Sequence, residues 1–413
     1  MSSVNEIKRI DYIMVIILLV ASTVLFSTTN IVYYTALMIM AALFTIITFI
    51  SNNKMAMAFR LRKNINYLLW LIVFFIFIAV HYYFVHWDSF SFLRRMRIWL
   101  PSLLMVLWLM RIDDKELLVF YGKCCVLASI PIFFIVFSSI EFMSTVVVGE
   151  RFSDVETGLN GNMIALYMLF LFFFSLILYN KEPRWRTLTV IVLIMQVAII
   201  LFTGCRRAVI AVFVLYIIYS LRFGNKTNRL WKLMISMAIV ILLVYLMIEI
   251  DFLYEIVGFR ILKLLNDVGL VQLAGGVDAT DYSAEVRREF IPIAVSMFKD
   301  KPILGNGYAY FIMHNGLNTS VQGYSTHNNY LEILVNYGIV GFVLYYSIIL
   351  SITRKLIKYR KRDDMVRLLC VFMIIHLILI EPTTVNFSTY TIFYFLYYIC
   401  YRIVMSQKTL NYQ

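Results

Sequence analysis

The chain reads as an all-α, polytopic integral membrane helix bundle, and three observations predict it. Hydrophobic residues make up 62% of 413 and charged residues only 15%, against about half and about a quarter in a soluble domain. The apolar residues fall in long uninterrupted runs rather than in the stripes of a water-soluble core. Lys and Arg gather in alternate connections, as expected when basic segments stay on the cytoplasmic side. The mean hydropathy of +0.82 agrees. Residues 1–413 are therefore read as a single transmembrane domain, with 251–327 as a long extracytoplasmic loop.

A spanning helix needs about 20 mostly apolar residues, which predicts about twelve transmembrane helices. They lie near 11–28, 31–50, 66–86, 98–111, 116–138, 162–179, 188–203, 208–222, 233–250, 328–350, 366–381 and 388–406. The first is read as a retained helix, because no small-residue cleavage site follows it. With both termini cytoplasmic, the inner connections carry Lys54, Arg60, Arg62 and Lys63, then Arg111 and Lys115, then Lys181, Arg184 and Arg186. Further inner positives are Arg222, Lys226, Arg229, Lys232 and the dense "TRKLIKYRKRDD", while the last outer connection, "EPTTVNFST", has none. The net charge of +13 is thus a topology signal, and no nucleic-acid partner is inferred. The five cysteines, Cys124, Cys125, Cys205, Cys370 and Cys400, form no CxxC or Cys/His cluster. They read as small buried hydrophobes.

The basic residues left outside break the trend. They are Arg94, Arg95 and Arg97, then Arg151, then Arg206 and Arg207, and in the long loop Arg260, Arg287 and Arg288. Such charges either serve a site or snorkel to lipid headgroups. Within the loop, "SAEVRREFIPIAVSMFKD" places Val286, Phe290, Ala294 and Met297 at helical spacing, with Pro292 expected to kink or restart the helix. "DFLYEIVGFRILKLLNDVGL" is a second amphipathic stretch, joined to the first by "AGGVDATDYS".

Four stretches carry candidate chemistry. "GERFSDVETGLNGNMIALY" holds Arg151, with Asn160 and Asn162 leading into a helix as caps or as ligands for sugar hydroxyls. "LFTGCRRAVIA" puts Arg206 and Arg207 at a tight outer turn, suited to phosphate or to a lipid headgroup. "VRREFIPIAVSMFKDKPILGNGYAYF" opens on Arg287 and Arg288 and ends in a "GNG" turn, which lacks the context of a nucleotide loop. "STHNNYLEILVNYGIVGF" holds His327, either a polar cap where a helix leaves the bilayer or a side chain suited to proton transfer near neutrality. Ser325 or Thr326 is the expected cap of the helix that follows, and Gly338 and Gly341 are expected to give a small-residue packing face.

In this order, the four stretches resemble the O-antigen polymerase and O-antigen ligase superfamily of bacterial membrane glycosyltransferases. The resemblance covers about residues 150–345. Arg151, Asn160 and Asn162 match an arginine-led outer loop ending in Asn-x-Asn. "GCRRA" matches a Ser-Arg-Gly turn, with Cys205 for the usual serine and Arg207 for the usual glycine, so that position favours Arg206. Arg287 through Asp300, Pro302, Gly305 and Gly307 match an arginine-led helix running into D-x-P-x-x-G-x-G, with Pro292 unusual inside it. His327, Asn328, Tyr330, Leu331, Gly338 and Gly341 match H-N-x-[YF]-L and a later G-x-x-G.

The resemblance implies a GT-C-like fold and a metal-independent transfer on the outer face of the cytoplasmic membrane, with no cofactor and no metal. The implied donor is an undecaprenyl-diphosphate-linked oligosaccharide, for capsule, O-antigen or exopolysaccharide. His327, Arg206 and Arg287 carry the implied catalytic roles. Arg151, Arg207, Arg288, Asn160, Asn162, Asn328 and Tyr330 are the implied substrate-binding residues. Besides the lipid bilayer, a flippase and a chain-length regulator are the implied partners. Three alternatives stay open at this level: a ligase passing glycan to another acceptor, a flippase or transporter, and a glycan receptor.

Overall fold

The computed structural model describes residues 8–25, 31–50, 54–85, 98–138, 161–203, 205–222, single positions between 231 and 262, 282–315, 325–387 and 390–409. Among these, every regular element is helical and no strand occurs. The helices are α1 (Arg9–Val20), α2 (Ile31–Ile50), α3 (Lys54–Val85), α4 (Trp99–Leu109), α5 (Leu117–Ser138), α6 (Gly161–Lys181) and α7 (Arg186–Phe202). There follow α8 (Arg206–Arg222), α9 (Tyr282–Asp300), α10 (Tyr310–His314), α11 (Asn329–Tyr359), α12 (Asp364–Ile375) and α13 (Thr391–Thr409). Every predicted span coincides with a helix except 233–250, most of which lies outside the described residues.

Among the described residues, six segments are long and apolar enough to cross a membrane: Leu61–Tyr83, Leu117–Ser138, Gly161–Lys181, Pro183–Phe202, Asn329–Tyr359 and Asp364–Thr383. Along α3, Ile65, Leu69, Ile72, Ile76 and Val80 remain exposed at helical spacing. A continuous apolar face of this kind is incompatible with water and suited to lipid. The protein is a multi-pass membrane protein.

The chain forms two compact units. The first comprises Met1–Leu18, Ile31–Leu117 and Thr280–Gln413. Its central helix is α11, which packs against α3, α9, α10, α12 and α13. Buried aromatic side chains fill the gaps and find polar partners for their tips, as such groups must away from water. Tyr67 donates its hydroxyl to the Tyr394 carbonyl at 2.7 Å, and Trp70 Nε1 donates to the Leu344 carbonyl at 2.8 Å. One end of this unit is closed by charge. Asp114 accepts from Arg402 Nε at 2.6 Å and is also ion-paired with Lys63. The remaining Arg402 nitrogens donate to the carbonyls of Leu109 (3.0 Å) and Ile112 (2.8 Å) and to the Tyr398 hydroxyl (3.2 Å).

The second unit comprises Leu19–Asn30 and Leu118–Ala279. Here α6 is the core: apart from Asn162, its residues from Gly161 to Leu178 are all buried. A helix that is apolar all round belongs inside a bundle. Gly122 permits close approach, since a Cβ there would lie 2.9 Å from Leu178 Cβ. Gln196 on α7 donates to Ser129 Oγ (2.7 Å) on α5 and Ser175 Oγ (3.2 Å) on α6.

Candidate functional site

The turn before α11 is held by its own side chains. Asn328 is the N-cap, its Oδ1 accepting from Leu331 N at 3.1 Å. Glu332 reaches back and accepts from Thr326 N at 2.9 Å, the return half of a capping box. The Thr326 hydroxyl donates to the Asn328 carbonyl at 2.8 Å and accepts from Asn328 N at 3.1 Å. The expectation that Ser325 or Thr326 caps the helix is therefore corrected. His327 is not the cap either. Its backbone is left-handed, with φ +52°, a conformation that costs an L-residue roughly 1–2 kcal/mol. Its side chain is half-buried. Strain of this kind gathers where a side chain is held for a task.

The glycine motifs have a common explanation. At Gly338 the backbone leaves the helix, with φ +62° and ψ −165°, a region open only to glycine. The break frees two carbonyls and two N–H groups, and the loop after α9 takes all four. Asn306 N donates to the Val335 carbonyl (2.9 Å) and Gly307 N to that of Asn336 (3.0 Å). In return, Ile339 N donates to the Pro302 carbonyl (2.8 Å) and Val340 N to that of Ile303 (3.1 Å). A Cβ at Gly305 would collide with the backbone of Asn336 and Tyr337, and one at Gly338 with that of Ile303. The P-x-x-G-x-G segment and the later glycine are thus two halves of one backbone clasp. The expected small-residue packing face is corrected at Gly338, while Gly341 does lie close against Phe77, with a Cβ there 3.2 Å from its ring.

The clasp fixes α9 against α11. Phe290, Ala294 and Met297 are buried with Phe311 and Val335, so the predicted stripe faces the core at these three positions, while the side chain of Val286 lies outside the described residues. The restart expected as one outcome at Pro292 does not occur: α9 is one helix from Tyr282 to Asp300 with the proline inside it. Arg287 and Arg288 stand in the N-terminal half of α9, and their side chains lie outside the described residues.

A buried polar cluster lies on the other side of the cap. Asn329, Glu381, His376 and Tyr397 are completely buried and Tyr346 nearly so. Glu381 Oε2 accepts from Asn329 Nδ2 at 2.5 Å and from the Tyr346 hydroxyl at 2.6 Å. Its Oε1 lies 2.9 Å from His376 Nε2 and accepts from the Tyr397 hydroxyl at 3.2 Å. Asn329 Oδ1 receives Asn386 N at 2.7 Å and Phe387 N at 3.0 Å. Tyr330 donates its hydroxyl to the Leu377 carbonyl at 2.7 Å. Sequence reasoning missed this cluster by treating "EPTTVNFST" as a plain loop. The available signal was a His and a Glu inside the apolar run "IIHLILIE", since ionisable residues in membrane segments mark function by default.

The second unit presents Arg206 and Arg207 as the first residues of α8, both half-buried. Positive charge there opposes the positive end of the helix dipole, so scaffold stability does not call for it, whereas a bound anion would. Asn162 lies exposed in the first turn of α6, not at a capping position. Arg151, Asn160, Gly204, Arg260 and the Arg94, Arg95 and Arg97 cluster lie outside the described residues. The first unit therefore brings His327, Asn328 and Tyr330 into one turn and docks it beside α9. Among the described residues, no group of three or more His, Cys, Asp or Glu is arranged to hold a metal ion.

Residues 189–346 match the family model described as O-antigen ligase. The match begins in α7 and ends in α11, and so takes in the arginine turn, the clasp and the turn that holds His327. It supports placement in the O-antigen polymerase and ligase superfamily. No curated protein sequence matches the chain.

Proposed function

We propose that this protein is a membrane glycosyltransferase that joins undecaprenyl-diphosphate-linked oligosaccharide repeat units on the outer face of the cytoplasmic membrane. The observation that carries the reading is His327. It occupies a strained left-handed position in a turn whose capping is done by other residues, inside the region matched to a glycan-transferring family. In the proposed reaction His327 accepts the proton of the acceptor hydroxyl as that oxygen attacks the anomeric carbon of the donor. The bond from that carbon to the diphosphate oxygen breaks, and lipid diphosphate leaves with the electron pair. Arg206 and Arg287 stabilise the charge that develops there, as fixed guanidinium groups can without a metal ion. Arg151, Arg207, Arg288, Asn160, Asn162, Asn328 and Tyr330 bind the glycan and its phosphates. The same reading takes about twelve spans, with both termini cytoplasmic.

The matched family, O-antigen ligase, favours a second reading, a ligase that passes a finished glycan to another acceptor. One experiment separates the two. The purified protein is given its host's own undecaprenyl-diphosphate-linked unit, with chelator present. A ladder of lengthened lipid-linked glycans is expected from donor alone. His327→Ala should lower its rate by about 10²–10⁴-fold and Arg287→Ala by about 10²–10³-fold. Transfer that appears only when a different acceptor is added selects the ligase. No transfer to any acceptor overturns both.

A further inference from the structure

The transfer reading leaves one buried acid without a task. Glu381 is fully buried at the same end of the first unit as the His327 turn, in the short helical turn Glu381–Thr383 between α12 and α13. A carboxylate in such a place is costly, and apolar residues of similar volume commonly give equal or greater stability. The scaffold alone does not call for it.

We propose that Glu381 is a positioning residue for His327, acting through Asn329. The inference rests on the reading of His327 as the base that accepts the acceptor's proton. Asn329 sits two residues after His327 and uses both ends of its side chain. Nδ2 donates to Glu381 and lies 3.0 Å from the Tyr346 hydroxyl, while Oδ1 receives the two backbone N–H groups of Asn386 and Phe387. Glu381 is itself fixed at both oxygens, by Tyr346 on Oε2 and by Tyr397 and His376 on Oε1. Tyr397 and His376 are 2.6 Å apart, which closes the ring of contacts.

The consequence is a clamp on both sides of one residue. Before His327, Thr326 is tied to Glu332 and Asn328. After it, Asn328 caps the helix and Asn329 is anchored to Glu381. Residue 327 takes up the left-handed backbone between these two anchors. Supporting hydrogen bonds of this kind hold a reacting side chain within the tolerance that catalysis needs, and misplacement by about 1 Å costs on the order of 100-fold in rate.

The test uses the full-length protein in lipid nanodiscs, with glycan transfer per folded molecule and backbone amide exchange as parallel readouts. Glu381→Gln is expected to lower turnover by about 100-fold with KM unchanged, and to raise exchange at residues 326–331 but not in α12. Tyr346→Phe, which removes one donor to the carboxylate, is expected to give the same pattern at about tenfold. Asp114→Asn, in the charged cluster at the other end of the unit, should lower stability and leave turnover per folded molecule unchanged. Wild-type turnover in Glu381→Gln, a loss carried by KM alone, or unchanged exchange at 326–331 overturns the proposal. Should Glu381→Gln fail to fold, Tyr346→Phe decides by the same readouts. Should the wild-type protein show no transfer at all, the reading of the reaction fails. The exchange result then decides the clamp by itself: a rise at 326–331 upholds it and no change refutes it.

Discussion

The two ends of the first unit each bury an acid, and they treat it differently. At one end Asp114 meets two cations, Arg402 and Lys63, and Arg402 spends its other donors on the carbonyls that end α4 and on Tyr398. Two cations face the one carboxylate, and each guanidinium nitrogen of Arg402 has an acceptor. At the other end Glu381 meets an amide, two phenols and an imidazole. Those donors are orientable groups, and one belongs to Asn329, the residue that follows the Asn328 cap. The first arrangement is a staple that holds helices together. The second holds a turn in one conformation. A buried acid therefore has to be interpreted from its partners, not from its burial.

The largest effect that separates the two ends should come from Arg402→Met. It leaves Asp114 short of its main partner and takes one donor each from the Leu109 and Ile112 carbonyls and the Tyr398 hydroxyl, and should cost about 3–5 kcal/mol, measured as unfolding in detergent. A much smaller loss would remove the staple interpretation. Next is Gly338→Ala, which forces a Cβ into the Ile303 backbone at a glycine-only conformation. A destabilisation of about 3 kcal/mol is expected, together with faster amide exchange at Ile339 and Val340, whose N–H groups lose the loop carbonyls. Unchanged exchange there would mean that the clasp does not depend on the glycine. Smaller again is Asn328→Ala, which removes the cap of α11 and should cost about 1 kcal/mol by thermal unfolding. A loss as large as that of Arg402→Met would make the outer turn a staple as well.

The helices were legible because lipid demands long apolar runs, and each such run within the described residues is a helix. The buried stripe of Phe290, Ala294 and Met297 was legible because spacing on one helix is local information. The order of the arginine, glycine and histidine motifs was legible as well, and the matched region contains most of them. Three features were not. The break at Gly338 exists because its freed backbone groups meet the loop at 302–307, a complementarity that neither segment states alone. The cap fell to Asn328 because the Thr326 hydroxyl turned to its neighbour's backbone instead, a choice between chemically equivalent caps. The Glu381 cluster joins residues 329, 346, 376, 381 and 397, which only the packing of α11, α12 and α13 brings together.

The central claim is that His327 serves chemistry rather than the turn that holds it. His327→Asn tests this most directly, because asparagine accepts the same left-handed backbone but offers no comparable base. Thermal stability and glycan transfer would be measured on the same preparation. The account predicts stability within about 0.5 kcal/mol of wild type and a fall in transfer of about 10²–10⁴-fold. Transfer retained at the wild-type rate would contradict it and return His327 to the scaffold.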